Sequence, residues 1–336
     1  MGLLSVRPRK RAGGVTMLAR RYDMIARRIG HLARSLVPLS LLFLSGCSAH
    51  GLARQFLIFR PAGPLSAADM RFTILDVAVM LGIIVPTAII TTYFLLRYRK
   101  TNTNATYDPH WSHSNLIELI VWAIPLLTVA MLGYESYKGT YAVNPYDPRM
   151  IKTKTASAAN PGGAPLNVDV ITTDWQWLFV YPKQHIAVAN ELVIPRGMPV
   201  VFHMTSATVV NDFFIPNLAG MIDVMPGMRT KQVLVADKIG QYRGYSANFS
   251  GAGFSWMGFK THVVSSAHFT RWIQSIQKSP RHMDYAQFNK FARPTTNIDG
   301  KTPAFSHVHA RLFDQVIKGV LDGKVYTTRM PPPGAA

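Results

Sequence analysis

The sequence predicts a membrane protein in which two transmembrane helices precede an all-β domain outside the cytoplasm and a short helical C-terminal extension. Three observations support this class. Hydrophobic residues make up 48% of the 336-residue chain, and the most apolar stretches form three runs rather than an even spread. From Leu166 onward, apolar and polar residues alternate in short segments separated by Gly and Pro, a pattern typical of a β-sandwich or barrel. After Ser265, apolar residues recur at helical spacing.

Residues 1–46 have the organisation of an export signal. A basic segment precedes the apolar run 36–44, and two small residues then lead to Cys47, the single cysteine. This order is typical of a secretory signal, and the apolar run is too short to span a membrane. The tetrapeptide Leu-Ser-Gly-Cys at 44–47 resembles the lipobox of bacterial lipoproteins, which implies that the cysteine is acylated and becomes the first mature residue. We therefore expect Cys47 to be a lipidation site, with a buried free thiol as the alternative.

The net charge of +19 raises the question of nucleic-acid binding. Nine basic residues lie within the first 34 positions, opposed only by Asp23, so the remainder carries about +11 in scattered form. The sequence has no zinc-finger spacing and no long basic helix, which argues against nucleic acid as a partner. The basic segment is unusually long for a signal, and Met17 and Met24 are alternative translation starts.

Two apolar segments, at about 72–96 and 116–136, are long enough to cross the hydrocarbon core of a bilayer. A short basic segment follows the first of them: Arg97, Arg99 and Lys100. Positive charge in a short loop marks the cytoplasmic side of a membrane protein. We therefore expect residues 47–140 to form a lipidated N-terminus and a transmembrane hairpin, with both ends of the hairpin outside the cytoplasm.

Glu118 interrupts the second apolar segment about one turn after its start. A carboxylate inside a membrane span is unfavourable and often has a function. In the alternative interpretation, Glu118 lies at the level of the lipid headgroups and has no special role. Its position alone does not decide between these interpretations.

Residues 165–265 are predicted to form the β domain. Seven segments have the pattern of strands: 166–172, 175–181, 191–194, 200–205, 230–236, 240–246 and 257–265. Between the last two lies the stretch YSANFSGAGFSWMGF at 245–259. It is predicted to be a tight glycine-containing loop, laid out like a metal-binding loop but with almost no metal ligands.

Residues 266–325 are predicted to form an aromatic-rich helical extension, followed by a disordered tail at 326–336. Three apolar stripes have helical spacing: Phe269, Trp272, Ile273 and Ile276; Tyr285, Phe288 and Phe291; and Val308, Leu312, Val316 and Val320. Such stripes are far more typical of packed helices than of a cofactor site.

Three segments carry a resemblance to one protein family: HSNLIE at 113–118, with Trp122 and Pro125; TDWQW at 173–177; and NDFFIPN at 211–217. Together with the lipobox and the two spans, they resemble subunit II of the haem–copper respiratory oxidases across residues 44 to about 325. The resemblance implies a cupredoxin fold, which is a Greek-key β-sandwich, with 211–217 as a loop. It also implies that the matching glutamate, Glu118, lies at the cytoplasmic mouth of a proton pathway.

In the cytochrome c oxidases of this family, the β domain holds two copper ions bridged by two cysteine thiolates, with histidine, methionine and carbonyl ligands. The ligand spacing can be aligned on this chain by placing Gly251 and Met257 in register. The six ligand positions then fall on Asn211, Ser246, Asn248, Ser250, Phe254 and Met257. Serine hydroxyls cannot bridge copper as thiolates do, and a phenyl ring cannot ligate it. The resemblance therefore implies vacated ligand positions and no metal in this chain, with Met257 as a core residue.

The stretch SGAGFSWMGFK at 250–260 resembles the corresponding loop of the cytochrome bo-type ubiquinol oxidases, the branch that lacks this copper centre. The resemblance implies a non-redox subunit II of a proton-pumping terminal oxidase, which oxidises ubiquinol and reduces O2 to water. Haems and one copper are then expected in subunit I, and cytochrome c is not expected as a donor. The expected partners are subunit I, smaller subunits and lipid of the bacterial inner membrane, with the β domain in the periplasm.

Two alternatives remain open at this point. One is a membrane-anchored binding lipoprotein built on a cupredoxin sandwich, against which Glu118 and its neighbouring motif argue. The other is a cytochrome c oxidase subunit II with a degenerate copper site. The pair Trp175 and Trp177 is interpreted as packing rather than as a relic of an electron relay.

Overall fold

A computed structural model describes residues 57–106, 108–144, 146, 164–295 and 300–326. The export signal at 1–46, the expected lipidation site Cys47 and most of the expected tail at 326–336 lie outside the described residues.

Two long helices, α1 (Pro64–Arg97) and α2 (Asn115–Val143), cover the two predicted spans. Both are long and apolar enough to cross a membrane, and the side chains of their most apolar windows are not buried within the chain. A Cβ atom added to Gly139 would lie 2.9 Å from the ring of Phe72. Because glycine has no side chain, the ring can pack directly on the α2 backbone. The start of α1 therefore lies beside the end of α2, as in an antiparallel hairpin.

Within the described residues, twelve strands form two sheets. The strands are β1 (Leu166–Thr173), β2 (Gln176–Tyr181), β3 (Ile186–Ala189), β4 (Glu191–Pro195), β5 (Pro199–Ser206), β6 (Asn211–Ile215), β7 (Ala219–Val224), β8 (Thr230–Val235), β9 (Gly240–Ser246), β10 (Gly258–Val264), β11 (His282–Met283) and β12 (Ala304–Val308). The seven-stranded sheet has the order β11-β12-β3-β2-β1-β5-β8, and the five-stranded sheet has the order β4-β10-β9-β6-β7. Most pairs are antiparallel, whereas β1–β5, β4–β10 and β11–β12 are parallel.

The two sheets enclose an aromatic core that explains the WQW motif. Side chains alternate across a strand, so Trp177 and Phe179 of β2 point into this core while Leu178 points to the opposite face. The ring of Phe259 on β10 lies 5.1 Å from Trp177 and 5.0 Å from Phe179, centroid to centroid. Phe213 of β6 stacks on Phe259 at 5.5 Å. Trp177 is therefore a core residue that joins both sheets, as the packing interpretation predicted.

The C-terminal extension packs on the β domain in two places. Its first helix contacts the core between the sheets through Phe269 and Trp272, and its later helices cover the outer face of the seven-stranded sheet. Its helices are α3 (Ser266–Gln277), α4 (Tyr285–Phe291) and α5 (Leu312–Leu321). Phe288 of α4 and Val316 of α5 are fully buried in the cluster that contains Leu178. The extension is not wholly helical, because β12 pairs with β3 and enlarges the sheet. Val308 ends this strand, so its helical spacing from Leu312 was misleading.

Three strands of the β domain, β3, β6 and β7, were not predicted. Strand β3 has the sequence IAVA and is buried throughout, so it shows no alternation of polar and apolar residues. The segment 211–217 was interpreted as a loop, and this was wrong for Asn211–Ile215, which is β6 between β7 and β9. The loop was implied by the resemblance alone, and the strand starts with polar residues whose buried partners, Thr172 and Ser246, lie on other strands.

The segment preceding α1 is fastened to the β domain by hydrogen bonds. The Nδ2 group of Asn217 donates to the carbonyl oxygens of Leu57 and Arg60, at 3.0 and 2.9 Å. In return, the carbonyl of Asn217 accepts from Ser66 Oγ and from the backbone N–H of Ala62, both at 2.7 Å. The first turn of α1 is therefore anchored on the β domain.

The anchored start of α1 determines which end of the transmembrane hairpin lies near the β domain. A helix of 34 residues is about 50 Å long, so its other end at Arg97 lies far from the anchored end. The basic loop after Arg97 and the β domain are thus at opposite ends of the hairpin. This agrees with the arrangement expected from the basic residues, in which the β domain is extracytoplasmic.

Candidate functional site

Glu118 lies in the first turn of α2, at the end of the hairpin that is remote from the β domain. Its backbone N–H donates to the carbonyl of Ser114 at 2.9 Å. The side chain points outward and is exposed, and it has no side-chain hydrogen bond or ion pair with any described residue. Within this chain, Glu118 is therefore a carboxylate that faces outward from the end of a membrane helix.

The six positions matched to copper ligands lie in one region of the β domain. The predicted loop between two strands is present, since residues 247–257 join β9 to β10 and include a short 3₁₀ turn, Phe254–Trp256. Five of the six positions belong to this loop or its borders, and Asn211 lies at the start of the adjacent strand β6. The fold thus brings together residues that are up to 46 positions apart in the sequence.

Ser246 is the centre of a hydrogen-bond network at this site. Its Oγ lies 3.4 Å from Oδ1 of Asn211 and 3.3 Å from the carbonyl oxygen of Asn248. The backbone N–H of Asp212 donates to the same hydroxyl at 3.2 Å. Ser246 and Asn211 are both buried, so this hydroxyl satisfies polar groups that would otherwise lose hydrogen bonds to water.

The two asparagine side chains bind the surrounding backbone. Nδ2 of Asn211 donates to Oγ1 of Thr172 at 3.2 Å and to the carbonyl of Val209 at 3.1 Å. Nδ2 of Asn248 donates to the carbonyl of Val210 at 3.1 Å. These amides therefore hold the loop and the start of β6 together by neutral hydrogen bonds.

The remaining three positions are occupied by a hydroxyl, a thioether and a phenyl ring. Oγ of Ser250 lies 4.0 Å from Sδ of Met257, and Met257 is almost fully buried in the core. The indole N–H of Trp177 donates to the carbonyl of Met257 at 3.3 Å. Phe254 packs partly against the core and contacts the ring of Phe249, 5.6 Å away between centroids.

Trp175 lies on the glycines of the loop. Its indole N–H donates to the carbonyl of Ser250 at 3.0 Å. A Cβ on Gly253 would lie 2.2 Å from the indole ring, and one on Gly251 would lie 3.1 Å from it. Gly251 also has a φ of +112°, which only glycine adopts readily. The two glycines of the SGAG sequence are therefore required by the close approach of the Trp175 ring. The sequence predicted that Trp175 packs, but not that it packs on these glycines.

A pair of carboxyl groups lies beside the network and was missed in the sequence. Asp223 of β7 lies directly opposite Asp212 of β6. Burial raises the pKa of the Asp212 carboxyl, and the hydrogen bond and like charge of Asp223 raise it further. The only signal would have been the register of two strands, one of which was interpreted as a loop.

The chemistry available to this site follows from its donor atoms. Amide oxygens, hydroxyls and one thioether are present, but the site lacks the thiolate and imidazole ligands that copper prefers. Within the described ranges, no group of three or more His, Cys, Asp or Glu residues is placed to hold a metal ion. These residues do not fit a dinuclear copper centre, and their hydrogen bonds serve to hold the loop.

Comparison with known proteins gives consistent matches. The family model "Cytochrome C oxidase subunit II, periplasmic domain" matches residues 166–264. The chain is 42% identical over 261 residues to the cytochrome bo(3) ubiquinol oxidase subunit 2 of Buchnera aphidicola subsp. Baizongia pistaciae, covering 76% of this chain and 87% of the relative. It is 38% identical over 274 residues to the protein of the same name from Pseudomonas putida, covering 82% of each. It is 36% identical over 286 residues to the ubiquinol oxidase subunit 2 of Acetobacter aceti, covering 85% of this chain and 87% of the relative.

Proposed function

The chain belongs to the ubiquinol oxidase subunit 2 family, and from that premise we propose that it is subunit II of a proton-pumping terminal oxidase. The complex oxidises ubiquinol and reduces O2 to water. This chain is a non-redox subunit of that enzyme, which braces the catalytic subunit and contributes to a proton-uptake path. The redox chemistry is then carried by haems and one copper in subunit I.

The observation that supports this proposal is the network around Ser246 and Asn211. A soluble cytochrome c delivers single electrons, so it needs a redox centre in the domain on which it docks. Hydroxyl, amide and phenyl groups cannot accept and pass on an electron in this way. The donor is therefore quinol, which reaches the oxidase within the membrane.

The chain is a membrane protein with an extracytoplasmic domain, and its finer placement is part of the proposal. We place it in a bacterial inner membrane, with an acylated Cys47 as a third attachment beside the two helices. Stable anchoring by lipid takes more than one membrane attachment, and α1 and α2 would supply the others. Subunit I, the smaller subunits and membrane lipid are the proposed partners.

Purification of the tagged full chain from the native membrane tests the assembly. We expect a haem spectrum, a large co-purifying membrane subunit, and a mature mass that begins at an acylated Cys47. A binding lipoprotein would carry the acyl group but would purify without haem and without that partner. Recovery of the chain alone under mild detergent, while a known oxidase subunit stays assembled in parallel, would contradict the proposal.

Glu118 is proposed to receive protons at the cytoplasmic mouth of a pathway into subunit I. Its place in the first turn of α2, at the end away from the β domain, supports this function. We expect Glu118→Ala to lower turnover and proton uptake of the assembled oxidase together, because a carboxylate placed to carry protons is removed. O2 consumption and proton uptake in reconstituted vesicles measure both rates.

Glu135→Ala is the matched control for this substitution. Glu135 lies on the same helix toward its other end, where its carboxylate is 3.6 Å from Nζ of Lys138. We expect the control to behave like the wild type. Equal rates in Glu118→Ala and the wild type would show that the glutamate is not on a proton path.

A further inference from the structure

A groove lined by basic residues crosses strand β9 on the outer side of the five-stranded sheet. It consists of two clefts, of about 630 and about 420 Å³, that are both bordered by Gln241, Tyr242 and Arg243. The larger cleft continues along residues 57–62, just before α1. The smaller one continues along β10 to Trp256 and Thr302. We call the two together the β9 groove.

The charged residues that line the β9 groove are all positive. Four of its lining residues are basic and none is acidic: Arg60, Lys238, Arg243 and Lys260 are the four. None of them forms an ion pair with another described residue. The ion pairs of the described residues lie elsewhere and join Lys138 to Glu135, Arg229 to Asp314 and His262 to Glu191.

The strand register places two of these cations next to each other. Arg243 on β9 lies directly opposite Lys260 on β10, so both side chains emerge on the same face. Like charges in this position destabilise a sheet unless an anion lies between them. On the other side of Lys260 lies Glu191 of β4, whose carboxylate is 3.4 Å from Nε2 of His262.

Gly258 on β10 lies beside the Arg243 side chain. A Cβ on Gly258 would lie 3.9 Å from Nε and 4.0 Å from Nη2 of Arg243, so the guanidinium lies above bare backbone. Lys238 closes the other end of the groove, where its Nζ donates to the carbonyl of Pro61 at 3.0 Å. The groove therefore presents a guanidinium with free donors between two ammonium groups.

We propose that the β9 groove is a binding site for a phosphate group. Guanidinium groups bind phosphate through paired N–H donors, and lysines add charge. The geometry points to the headgroup of an anionic phospholipid, because Leu57 and Phe59 add apolar surface beside Arg60. The helix start at Pro64 is about 12 Å along the helix from residue 72, where the apolar span begins. Lys and Arg side chains near a membrane surface attract anionic headgroups electrostatically. Free phosphate is the second source of the same chemistry.

The test uses the detergent-solubilised full chain within its complex, titrated in three arms. The probes are short-chain phosphatidylglycerol, short-chain phosphatidylcholine and inorganic phosphate, and native mass spectrometry reports bound ligand. We expect Arg243→Gln to weaken phosphatidylglycerol binding about fivefold, and Arg60→Gln with Arg243→Gln about 25-fold, since each surface cation contributes about that factor. Arg271→Gln, an exposed arginine on α3, is the matched control and should leave binding unchanged.

The titrations with the three probes distinguish a lipid headgroup from free phosphate as the ligand. A lipid headgroup is the ligand if phosphatidylglycerol binds more tightly than phosphatidylcholine and inorganic phosphate does not compete. Free phosphate is the ligand if it binds alone and its affinity falls in the same variants. The proposal is overturned if the variants bind all three probes as the wild type does. It is equally overturned if the double variant loses a protein subunit while lipid binding is unchanged, since the groove would then be a protein-docking surface.

Discussion

Four substitutions in the loop region are expected to give this chain a copper centre that its natural donor atoms do not form. They are Ser246→Cys, Ser250→Cys, Phe254→His and Asn211→His, with Asn248→Glu as an optional fifth. Ligands of one metal ion lie roughly 3 to 4.5 Å from each other. Oγ of Ser246 is 3.4 Å from Oδ1 of Asn211, and Oγ of Ser250 is 4.0 Å from Sδ of Met257. A thiolate at 246 would therefore lie beside the first histidine, and a thiolate at 250 beside the methionine, as the ligand pairs of a dinuclear centre require.

The expected result is about two copper ions per chain, with the strong visible absorption of copper–thiolate bonds. The measurement is metal analysis and absorption of the purified full chain after exposure to copper. The variant with both histidines but the original serines is the control, and it should stay colourless because nothing bridges the metals. A substituted chain that is folded by circular dichroism but remains free of copper would show that these are not the vacated ligand positions of a copper centre.

Much of the architecture could be predicted because its signals are local in sequence. The two spans depend on continuous apolar runs, and α1 and α2 contain them. The strands on either side of the loop 247–257 were predicted to within one residue, because polar and apolar residues alternate along β9 and β10. The glycines in the loop indicated a tight turn for the same local reason.

The remainder depends on contacts between distant residues. Strand β6 begins with buried polar residues, which are stable there only because Ser246 and Thr172 supply hydrogen bonds. Strand β12 is short and belongs to the sheet only through its pairing with β3. The β9 groove likewise could not be predicted, since its cations lie on three separate segments. Six ligand positions were named from a resemblance, and the fold places them together, while their equivalence to copper ligands stays a prediction.

The assembled oxidase is expected to consume O2 rapidly with ubiquinol and not detectably with reduced cytochrome c. Electrons from cytochrome c would have to cross the β domain, where the candidate site offers hydroxyl, amide and phenyl groups. Quinol is apolar and reaches the complex from the bilayer, so its oxidation does not depend on a redox centre in this domain. The difference between the two donors should span orders of magnitude, because one route is present and the other is missing.

The comparison of donors on one preparation tests the central claim most directly. The purified complex is supplied with ubiquinol or with reduced cytochrome c at equal electron supply, and O2 consumption is recorded with an electrode. Turnover with ubiquinol that is blocked by a quinone-site inhibitor, with no turnover above background from cytochrome c, is the predicted result. Sustained O2 consumption with cytochrome c, accompanied by stoichiometric copper in this chain, would contradict the account.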